Sequence, residues 1–240
     1  MNLKIKLGLL AALVTAYTWR DTFDPESVRG KRVLVTGASM GIGEQMAYRY
    51  AELGAQIVIT ARSQNSLKKV VERCLELGAQ KALYVMGDMS IPTDPERVLR
   101  EATELLVSTT QCLHSALLLV ASPGKMTTPF AGPYASTKFA LGGFFGTMQH
   151  ELAMQHSNVS VSIVTLGLID TQTALDKIRG YTDVTPWPAS EAALHIIKAG
   201  ATRQTETYYP WFHWLTCFFR DWFPAQRDMM IRMSFRIPQN

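Results

Sequence analysis

Cysteine is scarce and poorly placed for structural chemistry. The 240-residue chain has three, Cys74, Cys112 and Cys217, with no CxxC spacing. An odd, scattered set excludes a disulfide framework and a thiolate zinc site. The five histidines (His114, His150, His156, His195 and His213) form no HxxxH or HExxH pattern, so no metal centre is expected. Charge of one sign is not concentrated either. A net charge of +4 and a charged fraction of 18%, with a pI near 9.0, leave room for an anionic ligand or membrane surface but give no nucleic-acid footprint. Low-complexity tracts, internal repeats and Gly/Ser-rich linkers are missing, so one domain is expected. No apolar run reaches the roughly 17–25 residues that span a bilayer. What the chain does have is apolar content, 47% hydrophobic and 10% aromatic, which excludes a disordered or collagen-like protein.

Residues 1–19 stand apart. Lys4 and Lys6 precede a thirteen-residue apolar run, Leu7 to Trp19, with the dimensions of a signal peptide or an uncleaved signal anchor. A buried core helix is the bland alternative. Lysines before the run, and Asp21 and Asp24 after it, favour a cytosolic N-terminus and a lumenal body. The expected location is therefore the secretory pathway: the endoplasmic reticulum membrane with a lumenal domain, or secretion. The sequon Asn158-Val159-Ser160 agrees with that.

From Lys31 onward strand and helix signals alternate. Arg32 to Thr36 is a short β-branched apolar run, suited to a parallel strand buried on both faces. Helices are expected at Ile42–Leu53, Gln64–Leu77, Pro95–Leu106, Tyr134–Ala153 and Ala189–Ala199. Further strands are expected at Gln56–Thr60, Lys81–Met86, Ser115–Val120 and Val159–Val164. The repeated β-α-β order implies a Rossmann-type α/β fold with a doubly wound parallel sheet over 31–209.

The first strand runs directly into Thr36-Gly37-Ala38-Ser39-Met40-Gly41-Ile42-Gly43 and then a helix. Glycines there allow a tight turn and close backbone approach, while free N–H groups and the helix dipole stabilise a pyrophosphate. A glycine triplet alone is weak evidence; in a strand–turn–helix setting it marks a dinucleotide site formed by Gly37, Ala38, Ser39, Met40, Gly41, Ile42 and Gly43. The second strand ends in Thr60-Ala61-Arg62-Ser63 with no acid. Arg62 can pair with a ribose 2′-phosphate and Ser63 can donate to it, which favours NADP over NAD; a solvated surface arginine is the bland reading. After the third strand, Asp88 and Met89 are placed to flank an adenine, the carboxylate accepting from its amino group.

Tyr134 and Lys138 lie four residues apart at the start of the long helix, on one face. A nearby cation is expected to lower the phenol's pKa and ready it for proton exchange with an alcohol or ketone. Taken alone, such a pair is usually a surface feature. Following the glycine motif, it is far more specific. TGxxxGxG, Arg62-Ser63 and YxxxK together resemble the short-chain dehydrogenase/reductase family over most of 31–209. Lys138-Phe139-Ala140-Leu141, Leu166-Gly167-Leu168-Ile169-Asp170-Thr171 and Gly200-Ala201-Thr202-Arg203-Gln204 resemble its hydroxysteroid 11-beta-dehydrogenase branch. The resemblance implies hydride exchange between NADP(H) and a hydroxyl or keto group of a steroid-like lipid. It makes Tyr134 the proton-exchanging residue and Lys138 also a holder of the nicotinamide ribose. It assigns Ile169, Asp170, Thr171, Gln172 and Thr173 to the loop that holds the carboxamide, and it implies a homodimer.

Two family features are missing. An Asn-x-Ala-Gly type loop and the helix after it have no counterpart. Only eight residues, 107–114, separate Leu106 from Ser115, whereas a β-α-β step needs roughly thirty. Ungapped counting back from Tyr134 puts the family's serine at Ala121, with Ser122 the catalytic candidate beside it. Loss of such a donor costs about 10²–10³ in rate. An alternative function follows: a catalytically impaired short form that binds dinucleotide, or a full-length partner, without turnover. Residues 210–240 carry Trp211, Phe212, Trp214, Phe218, Phe219, Trp222 and Phe223 among arginines. They are expected to form an aromatic, basic helix that either meets a membrane surface, as the N-terminal run does, or packs in a dimer.

Overall fold

The computed structural model describes residues 23–106, 118–121, 125–218 and 220–237. The expected leader, the 107–117 connection and Ser122 lie outside them. In chain order a short 3-10 helix (Pro25–Val28) is followed by β1 (Arg32–Thr36), α1 (Gly41–Glu52), β2 (Gln56–Ala61), α2 (Gln64–Glu76), β3 (Lys81–Met86), α3 (Asp94–Leu106) and β4 (Leu118–Ala121). The chain continues through α4 (Gly132–Met154), β5 (Ile163–Leu166), β6 (Ile169–Asp170), α5 (Gln172–Ile178), β7 (Trp187–Pro188), α6 (Ala189–Ala201), β8 (Glu206–Tyr209), α7 (His213–Phe218) and α8 (Pro224–Met233).

The apolar run of β2 explains its central place. It pairs in parallel with β1 on one side and β3 on the other. Alternation of period two then sends side chains to opposite faces. Ile57 and Ile59 enter a core with Ala47, Ala51, Leu67, Val70 and Cys74. Val58 meets Val85, Val98, Ala102 and Leu106 on the other face. Val98, Ala102 and Leu106 recur every four residues and form the inner stripe of α3. Fully burying one such aliphatic side chain contributes roughly 1.5–3 kcal/mol, so these two layers hold the N-terminal half together.

The sheet is divided. β1-β2-β3 form one parallel unit and β4-β5-β8 a second, with β6 and β7 as a short separate pair. Among the described residues no strand joins β1 to β4. Helices bridge the halves instead: Met46 of α1 packs against the cores of both, and Arg49 Nε donates to the Ser190 carbonyl at 3.3 Å. The long helix α4 is left poorly covered. It is apolar nearly all round, with Lys138 and Glu151 its two formal charges, yet only Ala135 is buried. A helix of that composition ordinarily lies in a core, and here Phe144 is 59% exposed.

Three expectations need correction. The strand expected at Val159–Val164 starts later and ends later, because its partners Leu118 and Glu206 both meet Ile163 first. Just before that ladder the Gln149 amide donates to the carbonyls of Val161 (2.8 Å) and Thr205 (2.7 Å). The strand expected at Ser115–Val120 runs one residue further, to Ala121, while 115–117 lie outside the described residues. The aromatic tail is two helices rather than one, with Pro224 in the first turn of α8, where its missing N–H costs least. Strand β8, absent from the pattern reading, completes the second unit.

Candidate active site

The glycine turn adopts the geometry its residues permit. Gly37 and Gly41 both have φ of 65°, a left-handed value that L side chains resist. Ala38 is fully buried and its N–H donates to the Thr60 carbonyl at 3.2 Å, tying the turn to β2. A Cβ on Gly43 would lie 2.5 Å from the Gly37 carbonyl oxygen, so only glycine lets α1 start this close to β1. A Cβ on Gly37 would meet nothing within 4 Å, which leaves open space beside the turn. Ser39 is half-buried and Met40, the residue before α1, is exposed. The arrangement fits the phosphates of a dinucleotide: a bare backbone, a helix N-terminus and room in front.

The loop after β5 comes to the same place. A Cβ on Gly41 would touch Thr171 Cγ2 at 3.3 Å, and Thr173 Oγ1 donates to the Met40 sulfur at 3.6 Å. Ile169 is buried, anchoring the loop, and Asp170 is exposed. Thr171 caps α5, its hydroxyl accepting from the Ala174 N–H at 3.3 Å. Gln172 donates to Asp176 along α5 at 2.9 Å. The glycine turn and the Ile169–Thr173 loop are thus neighbours at the C-terminal ends of parallel strands, where ligands of open α/β sheets bind.

Arg62 and Ser63 follow β2 and are exposed. Ser63 caps α2, its hydroxyl accepting from the Ser66 N–H at 3.5 Å and lying 3.1 Å from the Ser66 hydroxyl. Asp88 differs from expectation. Its Oδ1 accepts from the Ser90 N–H (3.0 Å) and hydroxyl (2.8 Å), so one oxygen already serves a local turn. Those bonds, with a smaller contribution from the Arg62 charge, hold its carboxyl below the ordinary 3.8. The contribution from Arg62 puts Asp88 in its electrostatic reach. Met89 is 41% exposed.

Tyr134 sits in the first turn of α4, and Lys138 one turn later. The Lys138 ammonium lies 5.4 Å from the centre of the Tyr134 ring. A second ammonium, that of Lys177 in α5, lies 5.8 Å from the same centre. The expected lowering of the phenol's pKa is not found. Burial raises Tyr134 above its ordinary 10.0 and lowers Lys138 below 10.5. The reason is placement: both cations lie over the ring, while desolvation disfavours the charged form of each group. Ala121, at the ungapped position of the family's serine, ends β4 opposite Leu166. Sequence reading does not find Lys177, since nothing in its local spacing tells which ring it meets.

A groove of about 470 Å³ lies elsewhere, beneath α4, lined by Gly142, Gly143, Gly146, Ile163, Tyr208 and Trp214 among others. The glycines leave that space unfilled. None of the glycine-turn, Arg62 or Tyr134–Lys138 residues lines it, so it is separate from them.

Comparison with known proteins agrees with this geometry. A hydroxysteroid 11-beta-dehydrogenase 1-like protein from Danio rerio is 47% identical, covering 98% of this chain and 99% of its own length. That alignment runs over 283 positions against 240 residues, so at least 43 positions of it have no residue from this chain. L-sorbose reductase from Gluconobacter frateurii, solved with NADPH and L-sorbose, superposes with a TM-score of 0.65 at 17% identity, over 78% of this chain and 98% of its own. A short chain dehydrogenase/reductase from Burkholderia phymatum in complex with NAD gives 0.68 at 17% identity, over 89% and 98%. Both establish the Rossmann-like fold, of which fewer strands are present among the described residues. The family described as short chain dehydrogenase matches residues 31–114 and 117–181, two segments that break at 115–116, just after the shortened connection. With that match across most of the chain, and a relative 47% identical over nearly its whole length, the chain belongs to the short-chain dehydrogenase/reductase family of oxidoreductases.

Proposed function

We propose that this chain is an NADP-dependent oxidoreductase that interconverts a hydroxyl and a ketone on a steroid-like lipid. The observation that carries the reading is the convergence of three parts: the glycine turn, the Ile169–Thr173 loop against it, and Tyr134 with Lys138 at the other end of α5. The curated relative's name supports the substrate class, and the NADPH of the sorbose reductase structure supports the cofactor. When bound, the dinucleotide supplies or accepts the hydride.

The chain's own residues do the rest. Backbone from Gly37 to Gly43 holds the pyrophosphate. Arg62 and Ser63 meet the 2′-phosphate, and Asp88 and Met89 border the adenine, the former through its second oxygen. Ile169 to Thr173 hold the carboxamide. The Tyr134 hydroxyl gives its proton to a ketone oxygen, or takes one from an alcohol, and the Lys138 ammonium holds ribose hydroxyls beside it. Ser122 would donate to the same substrate oxygen.

Arg62→Ala is expected to raise the Kd for NADPH by about 10- to 100-fold, the worth of a charge-assisted bond, with NADH little affected. Fluorescence titration with both cofactors checks this, and equal losses for the two would remove Arg62 from the 2′-phosphate.

The raised Tyr134 pKa gives a directional pH profile. Reduction needs the protonated phenol, the form that the upward shift from burial favours. Oxidation needs the phenolate, which grows as pH rises. Ketone reduction is therefore expected to stay level through neutral and mildly alkaline pH, while alcohol oxidation climbs about tenfold per unit over the same range. A reduction rate that falls between roughly pH 7 and 9 would show a phenol far more acidic than burial allows.

The divided sheet and the uncovered α4 favour the second reading, a form that binds NADP(H) or a full-length partner without turnover. Titration with NADPH, followed by turnover of a steroid panel, separates the two. Exposed Trp214, Trp222, Met230 and Met233 in the tail support membrane association, and the apolar α4 supports a homodimer; lumenal residence rests on the charge order of the leader.

A further inference from the structure

We propose that Lys177 is a positioning residue that clasps α5 onto the ring of Tyr134, coupling the cofactor-side loop to the proton-exchanging side chain. Only its catalytic consequence rests on the proposed role of Tyr134. The clasp itself stands on geometry. One short helix reaches both parts of the site. Its N-terminal end rests on the glycine turn through Thr171 beside Gly41 and Thr173 against Met40. Its last turn puts the Lys177 ammonium 5.8 Å from the Tyr134 ring centre, inside the range in which a cation is drawn to an aromatic face. The two ends are about 9 Å apart at 1.5 Å per residue, so movement at one is felt at the other.

The helix has little else to hold it. None of its residues is buried, which puts it at the low-stability end of the fold, where one contact shifts an opening equilibrium. Asp176 does not draw Lys177 away, because adjacent residues of a helix point to different faces; its Oδ1 takes the Gln172 amide at 2.9 Å and Arg179 at 3.4 Å instead. The bland reading is that a cation in the last turn of α5 simply offsets the helix dipole. That role needs no aromatic ring, and the difference is measurable.

The test is hydrogen exchange across 172–178 in the full chain, with NADPH affinity measured in parallel. Lys177→Met is expected to speed exchange and raise the NADPH Kd by about two- to five-fold, the effect of an exposed cation–π contact. Lys177→Arg restores both, because guanidinium also stacks on aromatic rings. Tyr134→Phe, which keeps the ring, leaves exchange as in the wild type, whereas Tyr134→Leu speeds it as Lys177→Met does. Unchanged exchange in Lys177→Met, or wild-type exchange in Tyr134→Leu, overturns the clasp. Turnover that survives Tyr134→Phe while exchange still follows Lys177 overturns the functional reading and leaves the clasp standing.

Discussion

Tyr134→Phe is expected to lower steroid turnover by about 10²–10⁴-fold, the contribution of a positioned general acid, while NADPH binding stays within about twofold. The substitution removes one hydroxyl and nothing else. The ring stays near the Lys138 and Lys177 ammonium groups, so the site keeps its shape and loses only its transferable proton. A protonated phenol is ready to donate, and because the equilibrium constant is fixed the loss falls on both directions alike. Stopped-flow turnover with NADPH and a panel of keto-steroids measures it. Turnover unchanged by the substitution would mean that the proton comes from elsewhere, and the enzymatic reading of this pair would fall.

Gly43→Val is expected to cost about 1–3 kcal/mol of stability through overpacking and to abolish measurable NADPH binding. Its Cβ would lie 2.5 Å from the Gly37 oxygen and 2.8 Å from the Gly37 carbonyl carbon. Both are backbone atoms, so relief means moving the start of α1, and the phosphate cradle moves with it. Gly143→Ala makes the contrast. That position is in the interior of α4, and its Cβ would meet nothing within 4 Å. Here alanine is expected to stabilise by roughly 0.5–1 kcal/mol, since the helix loses less backbone entropy. Thermal unfolding of the two variants side by side checks the pair, and a Gly43→Val protein as stable as the wild type would show that the turn does not need a bare backbone.

Much of this site is legible in the sequence. The glycine turn is local: a strand, a turn and a helix in immediate succession, with the left-handed positions marked by glycine. The same is true of Tyr134 and Lys138, whose spacing puts them on one helix face, and of Ser63 at the start of α2. Electrostatics is less legible. The spacing of Tyr134 and Lys138 says they are near, but the balance between a cation over a ring and the loss of water around a hydroxyl depends on the whole surroundings, and burial wins. Asp88 reads as facing a ligand, yet Ser90, two residues on, takes one of its oxygens. Strand β8 escapes the pattern because Glu206–Tyr209 is short and begins with a charge; its parallel pairing with Ile163–Leu166 is what makes it a strand.

By itself the sequence determined the alternation of strand and helix, the place of the glycine turn and the pairing of Tyr134 with Lys138, because each rests on contacts within a few residues. It also determined that the middle is short, by simple counting against a β-α-β step. Only the tertiary structure decided what that shortening does. Among the described residues β1 and β4 stand in separate three-stranded units, and α1 and α6 bridge them. The helix that carries Tyr134 is left with a single buried residue. It likewise decided that Lys177, forty-three residues from Tyr134 in the chain, shares its ring. Such contacts join segments whose meeting depends on how the whole chain packs, and no local pattern encodes them.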